Sequence, residues 1–180
     1  YSKMTVFLVD KVSARWEYTF EFIFGLRAIP FELTDDAEYF KKATAAKLQF
    51  PISFGTLLNE TRLTEKQIGS GTWEGQACVS FAGEADILSS IFYVLTRMEE
   101  YGSVEGDQHQ RFEGKNAWQH KNNCLQQVIC DRWAMAFIQW VEAKLDIELY
   151  PQTNPVQLIP TFDIDNAFAY RFKTGKRKFL

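Results

Sequence analysis

Two carboxylates near the end of the chain have a spacing suited to chemistry. Asp163 and Asp165 stand at i and i+2 in "PTFDIDNAFAY", Pro160 to Tyr170, directly after the apolar "VQLI". The β-branched, apolar stretch predicts a buried strand over Val156 to Phe162 with both acids at its C-terminal end, where α/β folds gather their functional groups. At such an end the chain bends, so one acid can hold a divalent metal while the other acts as a base. The same spacing also suits a turn or a helix cap, and a bare Asp-x-Asp does not choose between these readings.

A second constellation lies mid-chain, where Arg97, Glu99 and Glu100 are followed by Asp107, Arg111, Glu113 and Lys115. A salt-bridge network that fixes the intervening loop is the preferred reading, and a ligand site is the alternative. Asp107 with "EGK", Glu113 to Lys115, is also loosely similar to the acidic pair and lysine of metal-dependent nucleases. That chemistry needs the acids on paired strands, and "VEGDQHQRFEGKNA" has no alternating pattern. His109 and His120 fall in the same polar region at a separation that fits no compact metal motif, and they read as solvated. Among the tryptophans, Trp133 and Trp140 stand at i and i+7 on an apolar helix face and read as core, as does Trp16 within a helix. Trp73 and Trp118 fall in loops, where a flat ring suits a pyranose.

The elements that must position these groups follow from periodicity. "TVFLVD" predicts a strand, and "SARWEYTFEFIFG" a helix with Ser13 at its N-cap, Trp16, Phe20, Ile23 and Phe24 on one face, and Gly25 as its stop. "PFELT", "DDAEYFKKA" and "KLQF" add strand, helix and strand, and this βαβαβ order predicts a parallel sheet. Periodicity fails from Pro51 to Gly75, where "GSGTWEG" reads as a turn-rich loop, and "QACVSF" returns to strand character. A helix is predicted over 85–101, its apolar face running from Ile87 to Met98 with Gly102 as stop. A second is predicted over 124–145 and includes Leu125 and Val128. "DIELYPQTNP" reads as a linker. The expected fold class is α/β, with a small mainly parallel sheet covered by the 85–101 and 124–145 helices. The expected domains are 1–150 and 151–180.

Composition narrows the function classes. A chain of 180 residues, 46% of them hydrophobic, can bury one sizeable core. Acidic and basic residues are mixed and sum to a net charge of -3, which argues against nucleic acid as a partner. No apolar run reaches the roughly 20 residues that span a bilayer, and "YSKMTVFLVD" is too short in apolar residues for a signal peptide. Cys78, Cys124 and Cys130 form no CxxC pair. Their odd number suits reduced thiols, so a cytoplasmic location is expected.

Several motifs together carry a family resemblance. "PTFDIDNAFAY" resembles the first motif of the polysaccharide deacetylases, the NodB-like carbohydrate esterases, although the commonest form has adjacent acids followed by Gly. Upstream, "TRMEEY" (Thr96 to Tyr101), "DQHQRF" (Asp107 to Phe112) and "CLQQVICDRWAMAF" occur in the order seen in an N-terminal domain that precedes the deacetylase barrel in a group of bacterial proteins. "RWEYTFEFIFG" and "FELTDDAEYF" match the opening of that domain, so the resemblance covers nearly the whole chain.

The resemblance implies that Asp163 is the general base and Asp165 a ligand to a divalent metal, zinc or similar, with two histidines from a later His-x-x-x-His motif. It implies an acetylated glycan as substrate of the intact protein. It also implies a barrel that continues past Leu180, of which Val156 to Phe162 is the first strand. A (β/α) barrel needs about 200 residues or more, so this chain by itself is expected to be inactive, to need no cofactor, and to have its own downstream deacetylase domain as partner. The role of the 1–150 domain is not implied. A binding or assembly module without catalysis is the alternative from another class.

Overall fold

A computed structural model describes residues 4–43, 47–101, 106–109, 111–149 and 158–161. The chain opens with strand β1 (Met4–Leu8), helix α1 (Ala14–Ile23), strand β2 (Phe31–Thr34), helix α2 (Ala37–Lys42) and strand β3 (Lys47–Pro51). These strands form a parallel sheet in the order β2-β1-β3, with Val6 opposite Glu32 on one side and Gln49 on the other. The central strand is buried over Thr5 to Phe7, which accounts for its continuous apolar run. The crossover through α1 buries Trp16, Thr19, Phe20 and Ile23, the spacing of one helical face.

Two local details differ from expectation. Ser13 occupies the N-cap position, but its hydroxyl donates to the Leu58 carbonyl at 3.0 Å and makes no cap bond. α1 stops before Gly25. Gly25–Arg27 forms a 3-10 turn, and Ala28 takes the left-handed conformation. Asp36 does cap α2, accepting from the backbone N–H groups of Glu38 and Tyr39.

The second half of the fold corrects a larger expectation. Strands β4 (Ile68–Trp73), β5 (Gln76–Phe81) and β6 (Glu84–Ala85) form an antiparallel sheet. The turn-rich "GSGTWEG" is therefore mostly strand, with only Glu74 and Gly75 turning the chain. Both have positive φ (45° and 77°), as a two-residue hairpin turn of the primed type requires. Gly71 is admitted to β4 for close approach, since a Cβ there would stand 2.9 Å from Ala85 Cβ. The expected small parallel sheet flanked by helices is present as β2-β1-β3, and a separate three-stranded antiparallel sheet, β4-β5-β6, accompanies it.

Helix α3 (Ile87–Leu95) is shorter than the predicted 85–101. Arg97 adopts a left-handed φ of 54°, which breaks the helix, and a 3-10 turn over Met98–Tyr101 follows. The predicted polar loop contains a 3-10 turn over Gly114–Asn116 and a one-turn helix α4 (Trp118–Lys121). Helix α5 spans Ile129–Leu145 and begins five residues later than expected. Asn123 has a positive φ, and Leu125 and Val128 are exposed in the turn before the helix.

α1, α3 and α5 pack on one another, α3 lies against β5 and α5 reaches β3. α3 therefore serves the antiparallel sheet more than the parallel one. A single hydrophobic cluster runs from Phe7 through Trp16, Leu88 and Trp133 to Leu149, so both sheets share one core.

Leu158 to Thr161, the described part of the predicted strand Val156 to Phe162, is exposed and outside any strand. The rest of that strand, with Asp163 and Asp165, lies outside the described residues.

Candidate functional site

The mid-chain charged residues resolve into separate pairs. Arg97 donates from Nε to Glu100 Oε1 at 2.7 Å, and its guanidinium lies over the Phe112 ring, 5.8 Å from the centroid. Asp107 Oδ2 accepts both Nε (3.0 Å) and Nη2 (2.7 Å) of Arg111, while Oδ1 takes the backbone N–H groups of His109 and Arg111. The hydrogen bonds from Arg111 hold the Asp107 carboxyl below the usual carboxylate range. Lys115 pairs with Glu113 at 2.6 Å. Each of these ion pairs is local, joining residues two to four positions apart. The paired strands that a nuclease site would need do not occur among the described residues of this loop.

Glu99 has a different role. Its Oε2 accepts the Trp118 backbone N–H at 2.8 Å and so fixes the start of α4. Trp118 in turn donates from Nε1 to the Gly69 carbonyl (3.1 Å) and Ser70 Oγ (3.0 Å), pinning α4 to β4. Ser70 Oγ also donates to Asn122 Oδ1 at 3.0 Å, and Asn122 Nδ2 donates to the Trp118 carbonyl. The two motifs around Arg97 and Phe112 thus touch directly, and both help to build one wall of a cleft.

That cleft has a volume of about 550 Å³, within the range of small-molecule sites. β4 and the residues before it contribute Leu63, Ile68 and Ser70; α3 contributes Tyr93. The 3-10 turn adds Met98, Glu99 and Tyr101, while Phe112, Asn116, Trp118, Lys121 and Asn122 complete the wall. Its rings differ in exposure: Trp118 is 7% exposed and Tyr101 is 85% exposed. Trp118 is backed by Trp133, and Tyr93 by Phe81 edge-on. Burial, then the charges of Glu99 and Glu65, push the Tyr93 hydroxyl up to about 12. It therefore remains a protonated donor across the physiological range. The arrangement offers aromatic surface beside neutral amides, hydroxyls, one cation and carboxylates, a set suited to a polyhydroxylated ligand.

Sequence reasoning found Glu99 and Trp118 but not Tyr93, Ser70 or Asn122. Trp118 is not a solvated loop residue, because its ring is buried and its indole N–H engaged. Trp73, the other open tryptophan, lies on β4 against Trp140 at 5.3 Å and belongs to the core edge. Arg97, Glu100, Asp107 and Arg111 do not line the cleft. His120 sits on α4, and His109 lies beside Gln108. Among the described residues no group of three or more His, Cys, Asp or Glu is placed to hold a metal. Asp165, the ligand that the deacetylase resemblance implies for a divalent metal in this chain, lies outside the described residues. No described helix is long and apolar enough to cross a membrane.

The family of unknown function DUF7033 matches residues 5–146. The chain belongs to this family. The matched region begins within β1 and ends at the residue that terminates α5, so it contains both sheets and the whole cleft. Asp163 and Asp165 fall after it. Comparisons with curated proteins and with solved structures return no match.

Proposed function

We propose that this DUF7033 domain is the accessory, glycan-positioning domain of a metal-dependent polysaccharide deacetylase. The observation that carries the proposal is the cleft, which combines the rings of Tyr93, Tyr101, Phe112 and Trp118 with the amides of Asn116 and Asn122. A pyranose offers an apolar face to a ring and hydroxyls to amides and carboxylates. Tyr101 is the exposed ring at the rim, and the Tyr93 hydroxyl is a permanent donor deeper in. The collinear motifs of the sequence support the deacetylase context, and "PTFDIDNAFAY" supports Asp163 and Asp165 as members of its catalytic part. Release of acetate from an N- or O-acetylated glycan belongs, in this reading, to the intact protein.

The test is a longer protein that includes the downstream region, assayed for acetate release from acetylated glycans with and without divalent metal. Tyr101→Ala should raise KM several-fold and leave kcat nearly unchanged, because the ring would contribute binding and no chemistry. Absence of a His-x-x-x-His motif after Leu180, or no acetate release from any acetylated glycan, would refute the enzymatic part. The family match ends at residue 146, before the Asp pair, and this favours a second reading as a binding module with no part in catalysis. Oligosaccharide binding that survives without any acetate release would select it.

A further inference from the structure

Helix α1 overhangs an open edge of the parallel sheet. β2 is the outer strand of the order β2-β1-β3, and no described strand lies on its far side. The Thr5 N–H donates to the Pro30 carbonyl at 3.3 Å and the Val9 N–H to the Thr34 carbonyl at 2.9 Å. Peptide groups along a strand alternate in direction, so the N–H and C=O groups of Phe31 and Leu33 face away from β1. Beside this edge a groove of about 730 Å³ runs between α1 and β2. Ala14, Glu17, Tyr18, Glu21 and Phe22 line it from the helix at the spacing of a single stripe, and Phe31 to Leu33 line it from the strand. Such a stripe normally lies over a sheet, yet Tyr18 is left 49% exposed and Leu26, on the same groove, 61% exposed. The groove therefore occupies the place of one more strand, with the helix that would cover it already present.

Charge decides what kind of strand the groove suits. Glu17 and Glu21 are exposed and form no ion pair among the described residues. The third acid of the groove, Glu32, is held by Lys47 at 2.7 Å, and Arg27, just past α1, is engaged by Asp131 at 2.8 Å. An extended segment entering the groove thus meets apolar rings beside two uncompensated carboxylates. A second copy added through the same edge would set these acids near their own equivalents, and like charges across an interface cost binding energy. A basic segment meets no such penalty. We propose that the α1–β2 edge is a docking site for an extended segment of a partner protein, added beside β2 as a further strand, with apolar and basic residues sharing the face turned to α1. Main-chain pairing with Phe31 and Leu33 supplies affinity, and the alternate side chains select the partner. The apolar ones pack on Phe22, Phe31 and Leu33, while Lys or Arg reaches Glu17 and Glu21 on the facing helix. The site shares no residue with the candidate glycan cleft, so it stands independently of that reading.

The test uses the full 180-residue chain and a fluorescently labelled octapeptide that alternates threonine with phenylalanine, arginine, leucine and lysine, so that the last four share one face when extended. Fluorescence anisotropy should show saturable binding in the millimolar range or tighter. Glu17→Gln together with Glu21→Gln, or about 1 M salt, should weaken it at least fivefold, and Leu26→Lys at least tenfold. These three positions are exposed, so the variants should keep the wild-type unfolding midpoint. Two further peptides carry N-methyl groups on alternate residues, one on the threonines and one on the other four. One of them should lose binding while the other keeps it, because only one set of amides faces β2. Equal loss or equal retention in the two would overturn strand addition. No saturable binding of the unmethylated peptide would overturn the proposal, as would equal affinity for a version with glutamate in place of arginine and lysine. Self-association of the peptide-free chain that Leu26→Lys abolishes would overturn it in favour of a second copy.

Discussion

Replacing Asp86 by alanine should cost the domain about 3 to 7 kcal/mol. The carboxylate is 2% exposed and caps α3, accepting the Ser89 backbone N–H at 3.0 Å and the Ser89 hydroxyl at 2.6 Å. Its Oδ2 also takes the N–H groups of Gly55 (3.0 Å) and Thr56 (2.7 Å), which lie some thirty positions earlier in the chain. Loss of an N-cap costs about 1 kcal/mol, and each buried donor left without an acceptor costs about 1 to 3 kcal/mol. Alanine removes the cap and orphans two such donors, which gives the stated range. Against a total stability of about 5 to 15 kcal/mol, the loss is large, and a shift of roughly 10 °C or more in Tm follows for a chain of this size. Asp86→Asn keeps one acceptor oxygen but turns an amino group toward one set of donors, so its cost should fall between wild type and alanine. Urea unfolding followed by tryptophan fluorescence measures both, with the buried Trp16 and Trp133 as reporters. A midpoint for Asp86→Ala within 1 kcal/mol of wild type would refute the claim that this carboxylate ties the 55–56 loop to α3.

Other substitutions probe other parts of the molecule. Gly55→Ala should destabilise by about 3 kcal/mol, combining a left-handed backbone with overpacking, because Gly55 has φ +120° and a Cβ there would stand 2.5 Å from the Trp16 ring; thermal unfolding reads it. Burial pushes the Cys130 thiol up to about 12 and raises those of Cys78 and Cys124, so a thiol reagent at pH 8 should label none of the three until denaturant is added. Glu32 is held below its ordinary value of 4.5, first by the hydrogen bond from Lys47 and then by that from Tyr39. A lowered carboxylate contributes its stability above the unfolded pKa and loses it as pH falls through the folded one. The gap in unfolding midpoint between wild type and Glu32→Gln should therefore be open at neutral pH and shrink as pH falls below 4.5 and through the lowered folded value. Cutting the chain after Tyr150 should leave a cooperatively unfolding domain, because Leu149 is buried and its N–H donates to Glu142. Loss of the cooperative transition in a calorimeter would place 151–180 in the core.

What the sequence could determine was set by local pattern. The βαβαβ opening, its parallel pairing and the buried face of α1 all follow from runs of apolar residues with the right period, and the structure has them. Asp36 and Asp86 stand at the starts of α2 and α3 because a short acid can reach the free N–H groups of a first turn. The Asp163–Asp165 pair is legible only as a motif, since it lies outside the described residues.

Tertiary structure decided the rest, for reasons that no window of sequence contains. Gly69 and Gly71 look like loop residues until β5 and β6 arrive beside them and demand the close approach that glycine permits. Ser13 has the type of an N-cap, yet a carbonyl 45 positions away takes its hydroxyl. The predicted 85–101 helix ends early because Arg97 turns left-handed and places its guanidinium over Phe112. The cleft is assembled from Ser70, Tyr93, Glu99 and Trp118, four segments whose adjacency depends on how α3 and α4 dock against β4. Spacing along the chain determines which face of an element is apolar; which faces meet is a matter of packing, and the candidate site lies at such a meeting.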